Sequence, residues 1–182
     1  MRFRNCGIGL IALLSVTTPV NALPGQNLSD VIEWTNNNSL LPRLQPVPVK
    51  YEEGYPDYTS ETNLGTATLI LNVWIDSEGV VEEETLDYRN SQNSASDNLE
   101  FLRDNTGGIA LLEKTYGSEI VRDFQAARYV VELELAGKLR FYQGEKYAYE
   151  TWASGGASNQ FTVLPRHVLG ERVRNWRRQG AK

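Results

Sequence analysis

The sequence predicts a single α+β domain: an antiparallel β-sheet of five or six strands, with helices packed on one face. A basic amphipathic C-terminal helix is expected to pack across an edge or the second face. Three patterns lead to this fold class: strict alternation of apolar residues over 66–75, strand-turn-strand runs over 128–151, and apolar residues at helical spacing over 109–124.

Residues 1–22 have the pattern of a secretory signal peptide: a basic start, an apolar run and small residues at the end. We expect cleavage after Ala22, which removes 22 of the 182 residues and leaves 23–182 as one domain. The apolar run is shorter than the roughly 20 residues of a membrane span, so no transmembrane segment is expected after cleavage. Cys6 precedes that run, so no lipid anchor is expected either.

Composition limits the chemistry that the mature chain can carry. Cys6 is the single cysteine and His167 the single histidine, so we expect no disulfide, no zinc or other metal site and no cofactor. Residues 23–164 hold 10 Lys and Arg against 22 Asp and Glu, whereas 165–182 hold six against one. An acidic body repels phosphates, so nucleic acid is not an expected partner.

The first half of the domain is expected to contain a short helix, an edge strand and a hairpin. The helix begins after Asn27 or Ser29 and ends near Asn36, and the edge strand lies near 47–51 before an exposed loop. The hairpin turns at Asp76-Ser77-Glu78-Gly79. The first strand of this hairpin has one wholly apolar face, formed by Ala67, Leu69, Leu71, Val73 and Ile75.

Helices are expected next, from Leu99 and Leu102 through the apolar residues of 109–124. A break is expected at Gly117-Ser118, which suit the end of one helix and the start of another. A meander follows, with strands over 128–135, 139–142 and 145–151, and then a flexible linker over 153–160.

The C-terminal helix is expected over 165–178, with Pro165 in its first turn. Arg172 falls within the apolar arc of this helix, so it must snorkel or meet a carboxylate of the acidic body. The remaining residues of the arc are Val168, Leu169, Val173 and Trp176.

The registers of the meander decide which side chains share a face. A three-residue loop at 136–138 sets Leu135 opposite Leu139 and pairs Glu134 with Arg140; a two-residue loop would mix cations into the apolar row. A two-residue loop at Gln143-Gly144 sets Phe141 opposite Lys146. The core face is then Tyr129, Val131, Leu133, Leu135, Leu139, Phe141, Ala148 and Trp152, and the opposite face carries Arg140, Tyr142, Tyr147 and Tyr149.

An arginine among tyrosines offers cation–π contacts, hydrogen bonds and flat apolar area, so Arg140, Tyr142, Tyr147 and Tyr149 form a candidate binding surface. The alternative is that the C-terminal helix or the 51–61 loop covers this face, or that the tyrosines decorate a half-exposed sheet. Strands are generally rich in tyrosine, which favours the alternative.

Carboxylates provide a second candidate site. Alternation places Glu82 and Glu84 on one face, at a spacing that suits the paired acids of a secreted hydrolase. The alternative is a solvated acidic strand. Asp76, Glu78 and Gly79 suggest part of a calcium loop, but the later ligand positions do not follow, so calcium is not expected.

The basic helix is the third candidate. Arg174, Arg177, Arg178 and Trp176 could contact an anionic membrane or another anionic partner. The alternative is that the helix packs back onto the acidic body, which is the commoner arrangement for a terminal amphipathic helix.

Two stretches carry resemblances to known proteins. The hairpin GTATLILNVWIDSEGVVEEETL resembles the opening hairpin of the carboxy-terminal domain of TonB-type energy transducers, but we expect neither a retained anchor nor a long proline-rich spacer, so that function is not carried over. The segments LPGQ, YGSEIVRDFQAA and YQGEKYAYETW are similar to small exported cyanobacterial proteins of unassigned function. This second resemblance implies a periplasm, thylakoid lumen or extracellular space, and no activity.

Together these patterns predict an exported, non-catalytic binding or accessory protein with a protein or small-molecule partner. A secreted carboxylate-dependent hydrolase and a protein attached peripherally to a membrane are the alternatives.

Overall fold

The computed structural model describes residues 23–38, 43–44, 56–65, 67–90, 106–154 and 158–180. Its helices are α1 (Leu28–Asn37), α2 (Thr106–Ala126) and α3 (Leu169–Arg178), the last preceded by a 3-10 turn at Arg166–Val168. Its strands are β1 (Tyr58–Asn63), β2 (Ala67–Ile75), β3 (Val81–Asn90), β4 (Arg128–Leu135), β5 (Gly137–Gln143), β6 (Tyr147–Ser154) and β7 (Ser158–Pro165). The predicted signal at 1–22, the edge strand near 47–51 and the helical residues 99–102 lie outside the described residues.

The strands form one antiparallel sheet in the order β1-β2-β3-β7-β6-β5-β4, which confirms the α+β fold class. Seven strands are present in the described residues, rather than five or six. The two additional strands are β1, predicted as an exposed loop, and β7, which joins the two hairpin systems. Residues 153–154 and 158–160 belong to β6 and β7, so the linker predicted over 153–160 is wrong there.

The β2–β3 hairpin has the predicted turn and apolar face. Gly79 takes a positive φ of 79°, and the Asp76 carboxylate accepts the backbone N–H groups of Glu78 and Val80 at 2.8 and 2.9 Å. These bonds satisfy backbone donors that the tight turn leaves without a strand partner. The apolar row is buried as expected at Ala67, Leu69, Leu71 and Val73.

Both predicted registers in the meander are wrong. Leu135 pairs with Gly137 and Leu133 with Leu139, so the β4–β5 loop is shorter than three residues. Phe141 pairs with Glu150 rather than with Lys146, so the β5–β6 loop is longer than two. The pairings shift by two and by four positions, and even shifts leave every side chain on its predicted face except near a bulge between Tyr129 and Val131.

The sheet is covered on both faces. Helices α1 and α2 pack on the first face, where Tyr116 and Phe124 meet Phe161 at ring-centroid distances of 5.5 and 5.0 Å. Helix α2 is interrupted at Gly117 (φ 81°, ψ 163°), where the sequence predicts the end of a helix. Aromatic pairs of this kind contribute about 0.5–1.5 kcal/mol each beyond the area that they bury.

Helix α3 packs on the second face. Leu169 and Val173 are buried there against Leu139, Phe141 and Leu164 of the sheet, as the apolar arc predicts. The helix starts later than expected, because Pro165 ends β7 and the 3-10 turn lies between them. With α3 in place, the domain has three layers: two helices, the sheet, and one helix.

Candidate functional site

The predicted tyrosine surface is not exposed. Tyr142 and Tyr149 are 5% and 0% exposed, and both rings pack against Phe124 of α2, at centroid distances of 5.4 and 5.1 Å. Arg140 forms an ion pair with Glu132 on the neighbouring strand. The four residues share a face as predicted, but α2, and not the C-terminal helix, turns that face into the main core. Tyr147 is half-buried and lines a surface cleft.

The predicted pair of carboxylates is separated. The β2–β3 register shifts between Trp74 and Ile75, so Glu82 is left without a partner in the ladder and is exposed. Glu84 points into the core and is 0% exposed. Burial raises the pKa of the Glu84 carboxyl well above its ordinary value. The nearby Tyr116 hydroxyl offsets only part of this rise, and the two groups do not form a hydrogen bond. Simple alternation was the wrong basis for pairing these residues, because the bulge breaks it.

Three arginines of the basic helix point into solvent. Arg174, Arg177 and Arg178 are exposed, whereas Trp176 donates its indole N–H to Glu150 at 3.2 Å. The helix therefore packs back onto the acidic body, and its tryptophan is held against that body. Contact of the three arginines with an anionic membrane or partner stays a prediction.

Arg172 anchors α3, as its position in the apolar arc predicts. Its guanidinium donates to Glu150 and to Glu83, both at 2.8 Å, and lies 5.7 Å from the Trp176 ring. Burial raises the pKa of Glu83, and Arg172 offsets only part of the rise. Such a buried group of charges is costly to break, because each partner left alone would be desolvated and unpaired.

Three adjoining clefts run along one rim of the molecule, where the β5–β6 turn, the end of β7, the start of α3 and the β2–β3 turn meet. We call them together the rim groove. We call the first cleft the arginine cleft, after the arginines that line it; its volume is about 700 Å³. The second cleft has a volume of about 590 Å³ and shares Gln143, Lys146 and Arg166 with the first. The third, the acidic cleft, of about 650 Å³, shares Pro24, Pro165 and His167 with the second.

The arginine cleft is built around the β5–β6 turn. Asp123 of α2 fixes this turn by accepting the backbone N–H of Glu145 at 2.8 Å and the hydroxyl of Tyr149 at 2.6 Å. The N–H groups of Lys146 and Tyr147 approach at 3.4 and 3.3 Å. Burial alone would raise the Asp123 pKa, but these donors lower it below its ordinary value.

Three arginines surround the turn, and each comes from a different element. Arg122 lies on α2, Arg128 begins β4, and Arg166 follows β7. None of them was singled out from the sequence, because their spacing forms no motif and only the sheet order brings them together. The acidic cleft differs in its lining residues, which are Trp74, three carboxylates and the ion-paired Arg172; the carboxylates are those of Glu82, Glu83 and Glu171.

Among the described residues, no group of three or more His, Cys, Asp or Glu side chains is placed to hold a metal ion. No helix in the described part of the chain is long and apolar enough to cross a membrane. Comparisons with protein-family models, with curated proteins and with solved structures give no match to the chain.

Proposed function

We propose that the protein is an exported, non-catalytic binding or accessory protein, and that its partner or ligand occupies the rim groove. The observation that carries this proposal is the continuity of the groove: three clefts share lining residues along one rim. Sites that bind ligands are usually concave and combine apolar walls with a few fixed polar groups.

The charged groups of the groove are already held in place, which supports binding. Asp123 accepts hydrogen bonds on both of its oxygens, and Glu83 is paired with Arg172. A preorganised wall loses little side-chain entropy when a partner binds. The signal predicted at 1–22 supports a location in a periplasm, a thylakoid lumen or an extracellular space.

The test is a cross-linked pull-down from the exported fraction of the source cells, with the unaltered protein and two variants. The groove variant is Arg122→Gln/Arg166→Gln. The matched control is Lys114→Gln/Lys138→Gln, which removes the same charge from exposed positions outside the groove. We expect a partner that the unaltered protein and the control both capture and the groove variant loses. Equal capture by all three proteins would place the partner elsewhere.

A second candidate, a carboxylate-dependent hydrolase, is favoured by one observation. Glu82 and Glu83 line the acidic cleft beside Trp74, and burial raises the Glu83 pKa above its ordinary value, as a general acid requires. Glu84 has no part in it, because it is fully buried. A panel of chromogenic glycosides tests this candidate: Glu83→Gln should lower hydrolysis by about a hundredfold or more, and exposed Glu113→Gln should not. Equal rates for the two variants would exclude it.

A further inference from the structure

The arginine cleft contains three guanidinium groups that are held by uncharged acceptors. Arg122 donates to the Ser118 carbonyl oxygen at 3.2 Å, and Arg128 donates to the Gln143 side-chain oxygen at 3.0 Å. Arg166 donates to the backbone carbonyl oxygen of Glu145 at 3.0 Å. Within the described residues none of the three forms an ion pair. Each is therefore oriented by one bond to an uncharged acceptor and keeps further N–H donors, although Glu119 also attracts Arg122 electrostatically.

The carboxylates of the cleft are largely occupied by other groups. Glu119 pairs with Lys146, and Asp123 receives the turn N–H groups and the Tyr149 hydroxyl. Glu145 is exposed, and its carboxylate adds a negative charge at the edge of the cleft. The cleft lining thus carries four cations against three carboxylates, and Arg122, Arg128 and Arg166 are the cations that bind no carboxylate directly in the described part of the chain.

This arrangement fits an anion with more than one charged group. A guanidinium offers five N–H donors, so each arginine keeps several after its single bond to the protein. Their planar geometry matches the oxygens of a phosphate or carboxylate in paired hydrogen bonds. The volume of about 700 Å³ lies in the range of small-molecule sites. Because the arginines come from separate elements, a ligand with several anionic groups can contact more than one of them at the same time.

We propose that the arginine cleft binds a small polyanion that carries two or more phosphate or carboxylate groups. This inference rests on the proposed function, in that it assigns a ligand class to one end of the rim groove. The turn N–H groups are already taken by Asp123, so the side chains provide the binding. Binding should therefore weaken as salt is added, since exposed charges are screened.

Isothermal titration calorimetry at low ionic strength tests the inference with two probes, pyrophosphate and citrate. Arg122→Gln/Arg128→Gln/Arg166→Gln should weaken binding by about tenfold or more, because charged hydrogen bonds are lost. The control, Arg43→Gln/Lys114→Gln/Lys138→Gln, removes the same charge at exposed positions outside the cleft and should bind as the unaltered protein does.

A third variant tests the direction of the effect. Glu145→Gln removes an exposed carboxylate from the edge of the cleft and should tighten binding. All substituted side chains are exposed, so the variants should fold, and circular dichroism checks that they do.

Binding of pyrophosphate alone would assign phosphate ligands, binding of citrate alone would assign carboxylate ligands, and either supports the inference. Two results would overturn it: no heat from either probe up to about 10 mM, or equal weakening by the two triple variants. If the probes fail while the groove variant still loses its partner in the pull-down, the binding function stands and only the polyanion is wrong. If the probes bind but the pull-down is unaffected, the partner lies elsewhere and the anion site remains.

Discussion

The contact between Gly144 and Asp123 allows a sharp test of how the β5–β6 turn is held. A methyl group added at Gly144 would overlap the Asp123 carboxylate, so Gly144→Ala must displace it. Gly144 is not among the glycines with a positive φ, so the cost should arise from this contact rather than from backbone strain. Displacement breaks the bonds from the Glu145 N–H at 2.8 Å and from the Tyr149 hydroxyl at 2.6 Å.

The size of the effect follows from those two bonds. A hydrogen bond to a charged group contributes about 1.5–3 kcal/mol, and water replaces part of it because Asp123 is partly exposed. We therefore expect Gly144→Ala and Asp123→Ala each to lower the free energy of unfolding by about 2–4 kcal/mol. Because both remove the same bonds, the double variant should cost little more than either single variant. A small extra cost remains, since the new methyl group lies 3.0 Å from the Tyr147 carbonyl oxygen.

Urea unfolding followed by tryptophan fluorescence measures these differences. Additive costs in the double variant would refute the reasoning, because Gly144 would then not be making room for Asp123. The measurement should also depend on pH in a defined direction. The folded Asp123 pKa lies below its ordinary value of 3.8, so its stabilisation is present above that pH. It is lost as the pH falls through the folded pKa, and the difference between the unaltered protein and Asp123→Ala should shrink there.

Three further variants test the core and the docking of α3. Burial raises the Glu84 pKa above its ordinary 4.5, so the folded state loses stability as the pH rises above that value. Glu84→Gln should therefore add about 1 kcal/mol or more to the free energy of unfolding at about pH 8, as measured by urea unfolding. The exposed control, Glu82→Gln, should not change it. Arg172→Ala leaves two carboxylates unpaired and should cost about 3 kcal/mol, with faster hydrogen exchange in α3; Arg174→Ala should change neither. Tyr142→Ala should cost about 3 kcal/mol or more in urea unfolding, whereas a surface position would cost little.

The elements that could be predicted from the sequence are those whose pattern is local. Apolar residues recur at every second position of β2, in the β2–β3 hairpin, because one face of this strand is buried and the other is partly exposed. The turn of the hairpin contains a glycine with positive φ and an aspartate that accepts turn N–H groups, and both are visible in the sequence. The helix break at Gly117 is equally local, because glycine readily adopts a conformation that ends a helix. The arc of α3 predicted both its buried residues and the need of Arg172 for carboxylates.

Strand β7 was missed because it has no alternation. Phe161, Thr162, Val163 and Leu164 are all buried, since the strand lies between β3 and β6 with helices over both faces. A continuous apolar run of this length is consistent with a central strand, but the Gly-Gly pair before it favours a linker. The registers were wrong for another reason. The length of the first loop was inferred from a continuous apolar row and from charge pairing, and that of the second from the Gln143-Gly144 turn. The structure has a shorter loop at Ala136 and a longer one at Gly144.

The error about the tyrosines and the absence of any sequence signal for the arginine cleft have one physical origin. A sheet with one solvated face leaves the polar and aromatic residues of that face available to partners. The alternation of apolar and polar residues along its strands then indicates which side chains are exposed. Here α2 and α3 cover both faces, so Tyr142 and Tyr149 became core residues while remaining on their predicted face. In the described residues the concave polar surface lies instead at the rim, where turns and helix ends from distant parts of the chain converge. Arg166 lies near the β5–β6 turn because β7 pairs with β6. Arg122 lies near the same turn because its helix, α2, holds the turn through Asp123. Residues that topology brings together in this way have no spacing to detect, and their shared chemistry becomes visible only when the fold is known.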